Sequence, residues 1–209
     1  MPEGRLITFE GVEGAGKSTQ VRLLAAALRR HGREVVETRE PGGTPLGEEL
    51  RAIVKHHPGD LAPAAELLIF AACRAQLVEH LIRPALERDA IVLCDRFADS
   101  TTVYQGLARG LDLAFIQLLH EFTLGNDCVP ALTLLLDLPA EGGLARAAAR
   151  GGVAADRFEA EGAAFHTAIR DGFLTLAKAE PNRFRVIPAD LPPEEVHRRI
   201  LPEVFHALG

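Results

Sequence analysis

The sequence predicts an α/β fold in which one parallel sheet is covered by helices on both faces, and three observations carry that prediction. Short apolar or β-branched runs recur at 6–9, 34–38, 91–94, 132–137 and 184–187. The stretches between them repeat their apolar residues at helical spacing, and strands that alternate with helices are the signature of βαβ units. The run 91–94 has no polar residue at all, as befits a strand buried on both faces of a parallel sheet. A chain of 209 residues is long enough for one well-buried core and short for two, so a single domain over 1–209 is expected.

In chain order, the run 6–9 delivers the backbone to Gly11-Val12-Glu13-Gly14-Ala15-Gly16-Lys17-Ser18, which satisfies G-x-x-x-x-G-K-[ST] at every fixed position. Glycines there let successive backbone N–H groups point at a phosphate, Lys17 adds a mobile cation for the β- and γ-phosphates, and Ser18 offers a hydroxyl to magnesium. Thr19 enters a helix over 19–30 whose N-terminal dipole faces the same phosphates, whose stripe is Val21, Leu24, Ala25 and Leu28, and which Gly32 stops. Binding of a nucleoside triphosphate by the loop from Gly11 to Thr19 follows from this context.

The second strand, 34–38, runs into the tightly turned loop Arg39-Glu40-Pro41-Gly42-Gly43-Thr44. Thr44 reads as an N-cap and Pro45 as the first residue of a helix that ends near Pro58-Gly59. Pro63 opens a longer helix to about Arg88, apolar on more than one face and therefore mostly buried, in part against another subunit. The central strand 91–94 ends in Asp95-Arg96. Helices follow at about 100–108 and 112–124, then the strand 132–137 and a helix from Pro139 that carries Arg146 and Arg150 and stops at Gly151-Gly152. A D-x-x-E capping pattern at Asp156 to Glu159 predicts the start of the next helix, with Phe158, Phe165, Ile169, Phe173 and Leu176 as its core stripe. The strand 184–187 and a helix over 193–208 complete the chain.

A net charge of −6 argues against a nucleic-acid polymer as partner and leaves room for a small anionic substrate if basic residues are gathered locally. No apolar run approaches the ~18 residues of a membrane span, and Met1-Pro2-Glu3-Gly4-Arg5 lacks a signal-peptide pattern, so a cytoplasmic location with no membrane partner is expected. Cys73, Cys94 and Cys128 are odd in number and unclustered, and read as small buried hydrophobes. The eight histidines show no metal-ligand spacing.

Loops leaving the carboxyl ends of parallel strands share one edge, so the P-loop, the segment 39–44 and Asp95-Arg96 are expected in one cleft. There Asp95 is placed to hold magnesium, directly or through water, and Arg96 to grip a phosphate bidentately. An aspartate at a strand end also caps loops and an arginine is often only solvated; adjacency to a P-loop weighs against those readings. Phe70 and Arg74, spaced i, i+4, share a helix face. They are either a ring that stacks on a base with a guanidinium at its edge, or a core phenylalanine with a solvated arginine.

The stretches FEGVEGAGKST, TREPGGTPLGEELR, LLIFAACRAQLVEHLIRPAL, LCDRFADSTTVYQG and, more loosely, RAAARGGVAADRFE resemble the bacterial thymidylate kinases, P-loop nucleoside monophosphate kinases, in this order and at ordinary spacings. The resemblance covers the chain from about Leu6 to Ala189. Its first motif marks only a P-loop protein, whereas TREPGG together with DRFADSTTVYQG is specific to the family. It implies a five-stranded parallel sheet, a homodimer, and transfer of the γ-phosphoryl group of ATP to dTMP with magnesium, giving dTDP. Another nucleoside monophosphate such as dUMP as acceptor is the alternative. A GTPase-type switch is disfavoured because the chain contains no N-K-x-D or T-K-x-D.

Carried over residue by residue, the resemblance implies that Gly11, Val12, Glu13, Gly14, Ala15, Gly16, Lys17, Ser18 and Thr19 bind ATP, with Ser18 and Asp95 at the metal. Glu13 faces the sugar 3′-hydroxyl, Arg39, Glu40 and Pro41 border the monophosphate, and Arg51 and Arg96 bind it. Phe70 stacks on thymine, Arg74 donates to O4, Thr101 and Gln105 complete the base pocket, and Tyr104 crowds the 2′ position. Eukaryotic-type relatives carry an arginine where this P-loop has Gly14, so the transition-state charge is expected to come from a lid at about 146–159. The catalytic set is then Lys17, Arg96, Arg150, Arg157 and Arg146, with Arg150 ranked ahead of Arg146. Alternatively, Arg146 and Arg150 only solvate an Ala-rich helix. The chain departs from the family at Phe97, where DRY would have tyrosine, at Pro130 to Asp137, where PDLTLYLD is the pattern, and at Ala148, where some relatives add an arginine.

Overall fold

A computed structural model describes residues 5–149, 157–158 and 160–209. Its five strands, β1 (Arg5–Glu10), β2 (Val35–Arg39), β3 (Ile91–Asp95), β4 (Leu132–Asp137) and β5 (Phe184–Pro188), form one all-parallel sheet in the order β2-β3-β1-β4-β5. Its two middle strands beside the centre, β3 and β4, are fully buried except at their last residues, which is why they carry so little polarity. The helices α1 (Lys17–Arg30), α2 (Pro45–His56) and α3 (Pro63–Leu77) precede β3. A π-helical turn, Val78–Ile82, links α3 to α4 (Arg83–Glu87).

After β3 the chain makes the short α5 (Ala98–Thr101), a second π-helical stretch (Thr102–Ala108) and α6 (Leu113–Leu124); α7 (Ala140–Ala149), α8 (Ala163–Ala179) and α9 (Pro193–Leu208) complete it. Local sequence signals operate at several ends, as expected at Thr44 and Gly32. The Thr44 hydroxyl accepts from the Gly47 N–H at 3.0 Å, Asp112 caps α6 through the Ala114 N–H at 2.8 Å, and Gly32 turns with φ +76° after α1. The three cysteines are buried and free. Among the described residues no helix is long and apolar enough to cross a membrane.

One element begins later than expected. The helix predicted from Asp156 starts at Ala163, after Gly162 in an extended conformation. Asp156 and Glu159, the two residues of the capping pattern, lie outside the described residues. Phe158 is buried but in a turn, its ring edge-on to Phe70 and Tyr104, so the apolar stripe that sequence spacing assigns to one helix is supplied by a turn plus a helix.

Where the strand order switches from one side of β1 to the other, the crevice at the carboxyl edge opens between β1 and β3. Phe9 pairs with Asp95 in register, and the Arg96 N–H donates to the Phe9 carbonyl at 2.9 Å. The loop beyond is anchored by a wholly buried carboxyl group. Glu10 accepts from the Phe97 and Ser100 N–H groups at 2.8 and 3.3 Å and from the Ser100 hydroxyl at 2.6 Å.

Burial, reinforced by the charge of Asp99, raises the Glu10 pKa from 4.5 to about 8. With the folded value above the unfolded one, the native state holds the extra proton between those two values. Stability from this group therefore falls as pH rises through that window and is flat above it. Glu10→Gln, which keeps an acceptor for the N–H groups and cannot ionise, should gain thermal midpoint relative to the wild type between about pH 5.5 and about pH 8.5. Parallel melts across that range check it, and a constant difference would remove the titration from Glu10.

Candidate active site

The P-loop leaves β1 and turns into α1 with Gly11, Gly14 and Gly16 all at positive φ. At Gly14 the requirement is double: φ is +73°, and an added Cβ would collide with the carbonyl of Gly143 in α7. Lys17 folds back over the loop, its ammonium donating to the carbonyls of Gly11 at 3.1 Å and Val12 at 2.8 Å. Burial and then the positive charge of Arg96 lower its pKa to about 8 against the opposing pull of Glu13 and Asp95. The Ser18 hydroxyl donates to the Asp95 carboxylate, which joins the P-loop to the end of β3.

Arg96 takes φ +69°, a conformation uncommon outside glycine, and this turns its side chain back toward the P-loop. It donates to Glu13 at 2.7 Å and to the Ser100 hydroxyl at 3.2 Å, with the guanidinium 5.1 Å from the Tyr104 ring centroid. Burial works to raise the Glu13 pKa, but Arg96, Lys17 and Lys55 outweigh it and hold the carboxyl down at about 2. Glu13 is thus a fixed anion between cations.

The loop after β2 supplies the third wall. Its Glu40–Pro41 peptide is cis, the Gly43 N–H and Arg39 both donate to Glu48 at 2.9 Å, and Arg51 donates to the Pro41 carbonyl at 2.7 Å. Glu40 turns inward to Arg74, whose Nε donates to it at 3.1 Å and whose Nη2 also bonds it. Arg74 is 1% exposed; it further donates to Thr101 Oγ1 at 2.6 Å and to His120 Nδ1 at 3.2 Å. Burial and Arg74 lower the His120 pKa to about 3, so the ring is neutral and its Nε2–H is left to donate to Thr102 Oγ1 at 3.0 Å.

These three walls and the helices behind them enclose one cavity of about 520 Å³. Glu13, Gly14, Gly16, Lys17, Ser18 and Thr19 line one end, and Phe70, Thr101, Tyr104 and Gln105 also line it; Arg39, Glu40, Pro41, Arg51, Asp95, Arg96 and Arg146 are lining residues as well. Gly11, Val12 and Ala15 belong to the P-loop but are not lining residues. Arg74 does not line the cavity: it is neither solvated nor exposed at its wall, but pins Glu40 and Thr101 from behind. Arg157 donates to the Val54 carbonyl at 3.2 Å, approaches Glu66 at 3.6 Å, and likewise is not a lining residue. Arg150 lies outside the described residues.

The structure adds residues that sequence reasoning left out. Lys55, Arg22, Ser100 and Phe158 line the cavity. Phe158 was legible only as core. Among the described residues seven cations line the cavity, namely Lys17, Arg22, Arg39, Arg51, Lys55, Arg96 and Arg146, against three carboxylates, Glu13, Glu40 and Asp95. A chain of net charge −6 has therefore gathered a positive cleft, suited to ligands with several phosphates.

A P-loop opening into a cationic cleft at the switch point of a five-stranded parallel sheet defines a nucleotide-binding phosphotransferase of the P-loop class. The Thymidylate kinase family model matches residues 9–200. Thymidylate kinases of Pseudomonas fluorescens and Deinococcus radiodurans are 54% and 50% identical to this chain, over 94% and 96% of it and 93% and 96% of the relatives. The crystal structure of the thymidylate kinase from Ehrlichia chaffeensis superposes with a TM-score of 0.80 at 33% identity, covering 96% of this chain and 98% of that one. The chain belongs to the thymidylate kinase family.

Backbone contact between the P-loop and α7 has a direct consequence. An added Cβ at Gly143 would overlap the Glu13 carbonyl oxygen, and that oxygen cannot move without moving the phosphate-binding turn. Gly143→Ala should therefore lower the melting temperature, since backbone must give way, and lower kcat/KM for ATP by about tenfold or more in the folded protein, the scale of a small misplacement of positioning groups. Steady-state kinetics with ATP as the varied substrate check it; a normal kcat/KM would show that α7 yields without cost.

Proposed function

We propose that this protein transfers the γ-phosphoryl group of ATP to dTMP, giving dTDP and ADP. Family membership indicates the reaction, and the observation that carries the proposal for these residues is the single positive cavity that joins Lys17 and Ser18 to Phe70, Thr101 and Gln105. Phosphoryl transfer needs two polyanions held in line with their developing charge neutralised, and little covalent help. The P-loop amides and Lys17 hold the ATP phosphates. Arg96 and Arg51, with the loop Arg39-Glu40-Pro41, receive the dTMP phosphate, and Glu13 meets the 3′-hydroxyl while Tyr104 closes off the 2′ position.

Phe70 packs on the base, and Thr101 and Gln105 bound its edge. Arg74 has five N–H groups, of which Glu40, Thr101 and His120 take four by two, one and one bonds. The remaining Nη1–H is the donor the family resemblance assigns to thymine O4; because Arg74 is buried behind the cavity wall in this structure, that contact requires the wall to open when dTMP binds. Magnesium enters with ATP and fits the site by donor chemistry: Ser18 and Asp95 are oxygen donors already in contact, the ligand type a hard cation takes. When bound it spreads the charge of the β- and γ-phosphates.

The lid remains a proposal over about 146–159. Arg146, on α7, lines the cavity while donating to the Ala189 carbonyl at 2.8 Å, which supports a role at the transferring phosphate. Arg157 is held by α2 and Glu66 in this structure, so a catalytic role for it requires that it exchange those partners for the phosphates. Arg150 is the third candidate. A homodimer in the cytoplasm, where its nucleotides are, completes the reading. The exposed Phe115, Leu118 and Phe122 of α6, the last 85% exposed, recur at i, i+3 and i+7 and support burial of that face between two copies.

Incubation of the protein with ATP and each of dTMP, dUMP, dCMP, dGMP and AMP tests the acceptor. We expect dTMP first and dUMP detectable but poorer, because the 5-methyl group is one apolar contact of ~1–3 kcal/mol. A better rate with any other acceptor would overturn the assignment. Lys17→Met should stay folded and lose turnover by about 10²-fold or more through lost charge stabilisation. Single-turnover rates for Arg146→Ala, Arg150→Ala and Arg157→Ala rank the lid arginines, with a normal rate removing that arginine from the transition state.

A further inference from the structure

We propose that Glu66, which does not line the cavity, selects the pyrimidine by fixing which end of the Gln105 amide is available to the base. Glu66 lies in the first turn of α3 and is 0% exposed. Its Oε1 accepts from Gln105 Nε2 at 2.9 Å and from Arg109 Nε at 3.1 Å, and its Oε2 lies 3.6 Å from Arg157. Two arginines beside it make it an ion-paired carboxylate, which accepts hydrogen bonds and donates none.

A glutamine amide is ambiguous: one end donates, the other accepts, and the two exchange on a half-turn. Against a carboxylate only one orientation is tolerable, because the half-turn would press the amide oxygen onto Glu66 and leave a buried acceptor unpaired. Nε2 is therefore committed to Glu66. Gln105 lines the cavity, and among the described residues no donor meets its Oε1.

An acceptor at this place matches the N3–H of thymine or uracil and opposes the unprotonated N3 of cytosine. The π-helical stretch Thr102–Ala108 contributes by widening the turn, so that Thr101, Tyr104 and Gln105 all reach one wall. Glu66 is thus a positioning residue for base choice, with Gln105 as the group that reads the base. The proposal rests on the reading that Gln105 meets the base edge.

The test compares kcat/KM for dTMP and dCMP on the same preparation, so that the ratio is independent of the active fraction. Glu66→Gln is nearly isosteric but can both donate and accept, which frees the Gln105 amide to turn. The dTMP-to-dCMP ratio should fall by about tenfold or more, carried mainly by KM. The exchanged pair Glu66→Gln with Gln105→Glu should restore the preference, since a carboxylate at 105 accepts in either orientation while residue 66 donates to it. That rescue is not expected of a role in stability alone.

Gln105→Leu separates the two levels of argument. If it leaves the ratio at the wild-type value, Gln105 is not at the base and the underlying reading fails. If it collapses the ratio while Glu66→Gln, folded by its melt, does not, Glu66 is not the selector. Should Glu66→Gln fail to fold, the exchanged pair decides: a ratio as low as that of Gln105→Leu overturns the proposal, and recovery of the wild-type preference upholds it.

Discussion

The site depends on how the end of β1 is tied to the loop that follows β3. Parallel pairing brings Phe9 opposite Asp95, but pairing alone would let the chain beyond Asp95 splay outward. The Glu10 carboxyl prevents this by taking the Phe97 and Ser100 N–H groups and the Ser100 hydroxyl in a wholly buried position. Clamped on both sides, Arg96 is left in the left-handed region, and its guanidinium returns over the P-loop to meet Glu13. Strain at one backbone position is offset by hydrogen bonds to Glu10, which does not line the cavity, an arrangement common where a side chain must be aimed.

From that clamp the electrostatics follow. Arg96, Lys17 and Lys55 converge on one cavity, and with Glu13 as the shared counter-anion their mutual repulsion is limited before any phosphate arrives. Lys17 meanwhile rests on two carbonyls of its own loop. On the proposed function a bound phosphate takes the place of those carbonyls at Lys17, so the cation is stored close to where it would act. Preorganised charge of this kind is the principal means by which a site lowers the barrier to phosphoryl transfer.

Much of this was legible in the sequence because it rests on local rules. The P-loop, the Thr44-Pro45 helix start, the apolar run of β3 and the meeting of Arg39 to Thr44 with Asp95-Arg96 at one sheet edge each follow from periodicity, turn chemistry or topology. What was not legible depends on distant partners. Phe158 reads as a helical core residue because spacing cannot tell a turn that packs its ring on Phe70 from a helix that would do the same. Arg74 reads as sharing a face with Phe70, and its inward turn follows from Glu40, 34 residues away in sequence. Gly143 reads as an ordinary glycine of an Ala-rich helix until the P-loop backbone is set against it.

The distant partners share a character. Arg74 with Glu40, and Glu66 with Arg109, are ion pairs in which at least one member is almost completely buried, and such pairs add little net stability because desolvation consumes what attraction returns. Apolar replacements would hold the fold as well. They would not orient a hydroxyl at Thr101 or an amide at Gln105, both of which need a partner with fixed donor or acceptor sense. The buried charges around this cavity are therefore better understood through the direction they impose than through the energy they add. The same reasoning accounts for the position of Arg74 and Glu66 one layer behind the cavity wall, where water cannot compete for the bonds that set that direction.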